Sequence, residues 1–188
     1  MKMNNYVKTA LLLFFSVLVA LLLAEASLAL VGYSSHSFHQ SDSLLGSSLR
    51  ANAEGVWKQE GNAVVKINSD GLRDVEHALE KPQDVFRIAV LGDSYMEAFQ
   101  VDFERSFPRL LQQNLQHKGT LAGKKIEVIN FGCAGYGTAR ELIMLQQHVW
   151  KYKPDLVLLA FLTANDVRDN SKALNKVEYI PYLKFPSF

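Results

Sequence analysis

The chain has 188 residues, 48% of them hydrophobic, which is enough for one domain with a core and a short appendage. Its 20 Lys and Arg residues nearly balance its 19 Asp and Glu residues, and the absence of a basic run argues against nucleic-acid binding. The single cysteine, Cys133, excludes an internal disulfide, and no Cys/His group has zinc-ligand spacing. We therefore expect a fold stabilised by packing, with no cofactor, no metal and no nucleic-acid partner.

The first 31 residues contain a long apolar stretch. Residues 10–31 read ALLLFFSVLVALLLAEASLALV, with no Lys or Arg and one acid, Glu25. As a helix this stretch is about 33 Å long, enough to cross a bilayer. Lys2 and Lys8 precede it, and the positive-inside tendency then leaves the N-terminus in the cytoplasm. The bulk of the chain is predicted to be extracytoplasmic, either periplasmic or at the cell surface.

A cleavable signal peptide is the competing interpretation of residues 1–31. Ala24, Glu25 and Ala26 have the small-x-small form of a cleavage site. The apolar character resumes beyond that site in SLALV, which makes the stretch longer than a signal requires. This favours an uncleaved anchor, with the membrane as a partner of the chain.

Residues 32–84 are predicted to be a linker followed by a small accessory hairpin. The first part is rich in Ser, Gly and Asn without sustained periodicity, and its two histidines, His36 and His39, are expected to be solvated. The second part, VWKQEGNAVVKIN, reads as two short extended runs around Glu60, Gly61 and Asn62.

From residue 85 to residue 188 apolar runs alternate with amphipathic segments. This alternation predicts an α/β fold, a parallel sheet with helices on both faces, because parallel strands need crossover connections. The predicted strands are VFRIAVLG, KIEVINFG and DLVLLAFLT, and the predicted helices are SFPRLLQQNLQHK and TARELIMLQQHVWKY. Ligands of such sheets bind beyond the carboxyl ends of the strands, where this sequence has GDSY, GCAGYG and TAND.

Each of these segments has a chemical and a structural interpretation. Ser94 follows the first strand as a candidate nucleophile at a sharp turn, but Asp93 or Ser94 can equally cap a helix. The glycines of the second segment can expose amides to an oxyanion, and their spacing, G-x-x-G-x-G, differs from the dinucleotide-binding pattern. Asn165 offers a neutral donor, whereas Asp166 is expected to anchor its loop.

Together the three segments resemble the SGNH hydrolase superfamily, the GDSL-type esterases, over residues 87–170. The resemblance implies that Ser94 is the nucleophile of an ester hydrolase with an acyl-serine intermediate. It also implies that the Ser94 amide, the Gly135 amide and the Asn165 side chain form the oxyanion hole. The implied substrates are small-molecule or carbohydrate carboxylic esters, O-acetyl groups among them, and the implied fold is three-layered and flavodoxin-like.

The sequence departs from the family pattern in two places. Thr163 stands where the third block usually has Gly, and no D-x-x-H follows Asn165 to supply the general base. We therefore expect an N-terminal fragment, with residues 85–188 a partial hydrolase domain that is inactive as written. Asp74 and His77 spell D-x-x-H, but they precede the first strand of the sheet and are expected to be a decoy.

Two rival functions remain open on the sequence. The same site can transfer an acyl group to a sugar hydroxyl of a cell-surface polysaccharide instead of to water. Alternatively, the chain is a membrane-tethered module with no catalytic activity, which is the interpretation favoured by the missing histidine. Tyr95 and Tyr136, at the end of the sheet, are candidates for stacking on a sugar ring or for local packing.

Overall fold

The computed structural model describes residues 4–30, 37–121, 123–175 and 181–182, and the chain divides into two compact units, 1–36 and 37–188. Among its described residues the first unit contains one helix, α1 (Asn5–Leu30), which has 26 residues, an 18-residue stretch with a mean hydropathy of 2.5, and no buried side chain. The hydroxyls of Ser16 and Ser27 donate to carbonyls four residues back, at 2.6 and 2.7 Å, so these polar groups are satisfied within the helix. By length and composition α1 is able to span a membrane, and a signal sequence would have the same properties.

The second unit begins with a hairpin in the serine-rich stretch where the sequence indicated a linker. Strands β1 (His39–Asp42) and β2 (Gly46–Leu49) pair antiparallel. Asp42 Oδ1 closes the turn by accepting from the amides of residues 44 and 45, both at 2.8 Å. Leu45 and Leu49 are buried in the core of the unit, so contacts outside the segment, and not its own periodicity, order it.

A second antiparallel hairpin follows, formed by β3 (Glu54–Trp57) and β4 (Ala63–Lys66). Alternate residues of β4, Ala63 and Val65, are buried, and the Trp57 ring packs edge-on against Phe99 with 5.3 Å between the centroids. The inner face of this hairpin therefore contributes to the same core as the first hairpin.

The main sheet has three parallel strands, β5 (Val85–Gly92), β6 (Lys125–Asn130) and β7 (Leu156–Ala160), in the order β6-β5-β7. The connecting helices are α2 (Ser94–Glu97), α3 (Phe107–His117) and α4 (Thr138–Gln147), and α5 (Asp166–Asp169) follows β7. Side chains alternate between two cores: Ile88 and Val90 pack with Leu111 and Leu115 of α3, whereas Leu91 packs with α4. The structure confirms the predicted α/β class, a parallel sheet with helices on both faces.

Strand β7 differs from the fully buried strand that its apolar run indicated. It lies at the edge of the sheet in the described part of the chain, and Leu156 and Leu159 are nearly half exposed. The strand order matters for function, because the chain passes from β5 to β6 on one side and then to β7 on the other. In open sheets this change of direction leaves a crevice at the carboxyl ends of the flanking strands, here β5 and β7.

Candidate functional site

The first loop of the site is the turn from β5 into α2. A Cβ at Gly92 would lie 2.3 Å from Met96 Cγ, so glycine permits the close packing of α2 against the end of β5. Asp93 is the N-cap of α2, with its Oδ1 accepting from the Tyr95 amide at 2.9 Å. The cap is therefore Asp93, and the Ser94 hydroxyl has no hydrogen-bond partner within the described residues.

Ser94 lies at the wall of an open cavity of about 570 Å³. The side chain is half-buried, and the other cavity walls come from the residues after it and from the start of α3, including Tyr95, Gln100 and Phe107. Because α2 has only four residues, its dipole adds little to the activation of the serine. A molecule in this cavity would lie against Ser94, but Gly135 and Asn165 do not line the cavity.

The second loop, between β6 and α4, turns at Gly135, which has φ +77° and is exposed. The neighbouring Ala134 amide is occupied, because it donates to Glu97 Oε1 at 3.0 Å. The Gly135 amide has no such partner in the described part of the chain and is available to a ligand. A Cβ at Gly132 would lie 2.4 Å from Met96 Cβ, so this glycine permits close packing of the loop against α2.

The third loop meets the first through a hydrogen bond. Asn165 Nδ2 donates to Asp93 Oδ2 at 2.8 Å, which connects the ends of β7 and β5 next to Ser94. Asp166 Oδ2 accepts from the Leu162 amide at 2.7 Å and so anchors the loop, as expected. The structure thus joins Asn165 directly to the residue before Ser94, and it joins the Gly135 loop to α2 through Glu97 and Ala134.

Three buried carboxylates, Asp93, Glu141 and Asp166, lie behind these loops, and we call them the acid cluster. Glu141, in the first turn of α4, is 1% exposed, and neither of its carboxylate oxygens has a hydrogen-bond partner within the described residues. Burial, reinforced by the charges of Asp166 and Asp93, raises the pKa of Glu141 to about 8. Glu141 is consequently protonated at neutral pH. Sequence reasoning missed this residue, since a glutamate in an amphipathic helix ordinarily faces solvent.

The Asp74/His77 pair is held in a different environment. His77 Nδ1 lies 2.8 Å from Glu127 Oε1, its Nε2 lies 3.3 Å from Asp74 Oδ2, and its side chain is 3% exposed. Arg87 Nε donates to the second oxygen of Glu127 at 2.5 Å. We call Asp74, His77, Arg87 and Glu127 the ion-paired cluster. Both ring nitrogens of His77 therefore face carboxylates.

The remaining histidines and the two tyrosines divide into exposed and packed residues. His117 is exposed at the end of α3, and His148 is half-buried after α4; His36 lies outside the described residues. His39 differs from the solvated residue that the sequence indicated, because its Nε2 lies 2.7 Å from Glu97 Oε1. Tyr136 is buried and its hydroxyl donates to the carbonyl of residue 47 at 2.8 Å, whereas Tyr95 is 69% exposed. Of the two tyrosines, Tyr95 alone presents a ring to solvent.

Comparison with known proteins finds a partial relative. Over 80 residues the chain is 38% identical to a protein described as an arylesterase from Vibrio mimicus, a stretch that covers 43% of this chain and 38% of that protein. The solved structure titled "Crystal Structure of TesA" matches 46% of this chain and 46% of its own at 26% identity, with a TM-score of 0.39. No model of a protein family matches. The chain therefore spans less than half the length of each of these two proteins, and one of them is described as an esterase.

Proposed function

We propose that this chain carries the nucleophile and the oxyanion hole of an SGNH-type ester hydrolase that cleaves carboxylic esters through an acyl-Ser94 intermediate. The observation that carries the proposal is the hydrogen bond between Asn165 and Asp93, which brings the third loop to the serine turn. The unpartnered Ser94 hydroxyl at the cavity wall and the partial identity to an arylesterase support it.

In the proposed reaction Ser94 Oγ attacks the ester carbonyl carbon and loses its proton to a general base. The carbonyl oxygen becomes an oxyanion, and the amides of Ser94 and Gly135 and the Asn165 Nδ2 group donate hydrogen bonds to it. The intermediate collapses with release of the alcohol, and water then hydrolyses the acyl-serine. Asp93 positions Asn165, because the Asn165 side chain uses one N–H group to donate to the Asp93 carboxylate. The second N–H group remains for the substrate.

The general base is the part of the mechanism that these residues do not supply. Among the described histidines none contacts Ser94: His77 is bound by two acids, and His39 is paired with Glu97. A serine without a base reacts slowly, although an oxyanion hole and substrate binding alone still accelerate acylation. Acylation of Ser94, and not steady-state turnover, is therefore the step to measure on this chain.

The test is covalent labelling with a fluorophosphonate and with p-nitrophenyl acetate, read by mass spectrometry of the Ser94 peptide. We expect an adduct on Ser94 that Ser94→Ala abolishes and that Asn165→Ala slows about 10²–10³-fold. Ser106→Ala is the matched control, because Ser106 lines the same cavity but its hydroxyl donates to the Phe103 carbonyl at 2.7 Å. A folded wild-type chain that forms no adduct on Ser94 would refute the enzyme proposal in favour of a non-catalytic module.

Acyl transfer to a sugar is the second candidate, and the exposed Tyr95 ring beside Ser94 favours it, since aromatic faces stack on sugar rings. The two reactions share the acyl-serine and differ in the acceptor. Loss of the acyl group from Ser94 in water alone identifies a hydrolase, and loss that requires an added oligosaccharide identifies a transferase. With α1 as an uncleaved anchor, either reaction would take place outside the cytoplasm at the membrane surface.

A further inference from the structure

We propose that His39, Glu97 and Cys133 form a zinc-binding site. The three residues come from β1, from the last residue of α2 and from the loop after β6, and one ligand atom from each lies within 4.8 Å of the other two. The His39 Nε2 and Glu97 Oε1 atoms are 2.7 Å apart. We call these residues the His–Glu–Cys site.

The donor atoms select the metal. An imidazole nitrogen, a carboxylate oxygen and a thiolate sulfur are the ligands that Zn²⁺ takes, whereas Mg²⁺ and Ca²⁺ are bound by oxygen atoms alone. Three protein ligands leave a fourth tetrahedral position for water. Glu97 and Cys133 are buried, and the His39 side chain is 31% exposed, so the ion reaches the site from the His39 side.

The His39 and Glu97 ligand atoms must move apart for the site to accept the ion. With zinc bonds of about 2.1 Å to nitrogen and oxygen at a tetrahedral angle, those two ligand atoms are about 3.4 Å apart. The present 2.7 Å separation must therefore open by about 0.7 Å. His39 is the first residue of β1 and is half-buried, so its ring can make that movement. The Ala134 amide, which donates to Glu97 Oε1 at 3.0 Å, meanwhile holds the carboxylate in place from outside the site.

A reactive thiol is the alternative role for Cys133, and its environment argues against it. Burial, together with the negative charge of Glu97, raises the pKa of the thiol far above its usual value. A thiol that stays protonated is a poor nucleophile and resists oxidation. Coordination removes this barrier, because a bound Zn²⁺ deprotonates its cysteine ligand.

A zinc ion at this position would connect three segments that are distant in sequence, since His39 and Glu97 are 58 residues apart. It would fix the first hairpin against α2 and against the loop that carries Gly135. The expected consequence is a fold that zinc stabilises, because a site assembled by folding contributes its binding free energy to the folded state.

The experiment uses residues 1–188 in a mild detergent, since α1 is apolar and exposed. The protein is stripped with a chelator, loaded with Zn²⁺ or Co²⁺ and desalted, and its metal content is measured by mass spectrometry. We expect one equivalent of zinc, a higher melting temperature, and a thiolate-to-cobalt charge-transfer band with Co²⁺. Cys133→Ala abolishes the band, and both Cys133→Ala and His39→Gln weaken zinc binding at least about 10–100-fold.

His117→Gln is the matched control, because His117 is exposed at the end of α3 and it should bind zinc as the wild type does. Wild-type protein that retains no zinc, or shows no thiolate-to-cobalt band, overturns the proposal even if the variants fail to fold. Equal zinc affinity in folded Cys133→Ala also overturns it. Ser94→Ala should bind zinc with the affinity of the wild type. The zinc site and the proposed esterase activity are therefore tested independently.

Discussion

The ion-paired cluster and the acid cluster lie at different levels of one sheet, and their charges are arranged in opposite ways. The ion-paired cluster includes Arg87 and Glu127, which face each other across β5 and β6, and every acid in it has a cationic neighbour. The acid cluster lies beyond the carboxyl ends of the strands and leaves both oxygens of Glu141 without a hydrogen-bond partner in the described part of the chain. A buried group without a partner is costly, so the acid cluster reduces stability at the end of the sheet where we propose that Ser94 reacts.

The largest expected effect comes from breaking the ion-paired cluster. Arg87 is 1% exposed and donates to Glu127 and to the carbonyls of residues 78 and 152. Arg87→Met removes the buried cation and its hydrogen bonds and leaves the partly buried Glu127 with His77 as its remaining partner, so we expect a loss of about 3–5 kcal/mol in the free energy of unfolding, measured by urea denaturation. Arg109→Met, which breaks a more exposed pair with Glu104, is the control and should cost under about 1 kcal/mol. Similar losses of unfolding free energy in Arg87→Met and Arg109→Met would mean that burial of the pair does not decide its contribution to stability.

The next effect concerns the protonation of the acid cluster. The pKa of Glu141 is about 8 in the folded protein against 4.5 unfolded, so the folded state binds the proton more tightly. The stability from this group is complete below about pH 4.5 and is lost as the pH rises through about 8. Glu141→Gln keeps the neutral form at every pH. We expect it to match the wild type near pH 5 and to be more stable by about 2–4 kcal/mol near pH 9.

The measurement is urea denaturation at several pH values, with the difference between variant and wild type plotted against pH. A difference that stays constant from pH 5 to pH 9 would mean that Glu141 does not titrate in this range. Glu104→Gln is a suitable control, because that side chain is 60% exposed and the pH profile should remain that of the wild type.

His77 gives a smaller effect in a higher pH window. Burial alone lowers the pKa of this imidazole, but hydrogen bonds and charges from Asp74 and Glu127 outweigh burial and raise the pKa to about 9. The stability from the charged imidazole is complete below about pH 6.5 and is lost as the pH rises through about 9. His77→Gln should therefore be least stable relative to the wild type near pH 6. We expect the gap to narrow by about 1–3 kcal/mol by pH 10.

The same denaturation series tests this window, and the Glu141→Gln profile serves as the reference because its change ends near pH 8. If the difference in the free energy of unfolding between His77→Gln and the wild type grows above pH 8, the charged imidazole does not stabilise the fold.

The sheet could be predicted from the sequence because its strands are apolar runs and its loops contain glycines that the turns require. β5 has the predicted bounds, residues 85–92, and Gly92 and Gly132 permit close contacts with Met96. The hairpin at residues 39–49 could not be predicted in this way, since burial of Leu45 and Leu49 by the rest of the unit decides its structure. Local periodicity contains no information about that contact.

The same limit applies to the candidate site. Ser94, Gly135 and Asn165 could be proposed from short motifs because each stands in the loop that follows a strand, and the order of those loops along the sheet follows from the crossovers. Glu97 and Glu141 have no such signal, because each lies in a helix and interacts with residues that are distant in sequence. Buried polar partners that are distant in sequence require coordinates.

The smallest expected effect comes from an ion pair outside both clusters, and it sharpens the contrast between burial and charge. Glu80 accepts from Lys153 Nζ at 3.1 Å, but the Glu80 side chain is 89% exposed and that of Lys153 is 59% exposed. Glu80→Gln removes the charge of an exposed carboxylate that water already solvates, whereas Glu141→Gln replaces a buried acid that is neutral at pH 7. We expect the free energy of unfolding, measured by urea denaturation, to change by less than about 0.5 kcal/mol. This change should not depend on pH above pH 6. A loss comparable with Arg87→Met would mean that charge pairing and not burial decides the cost.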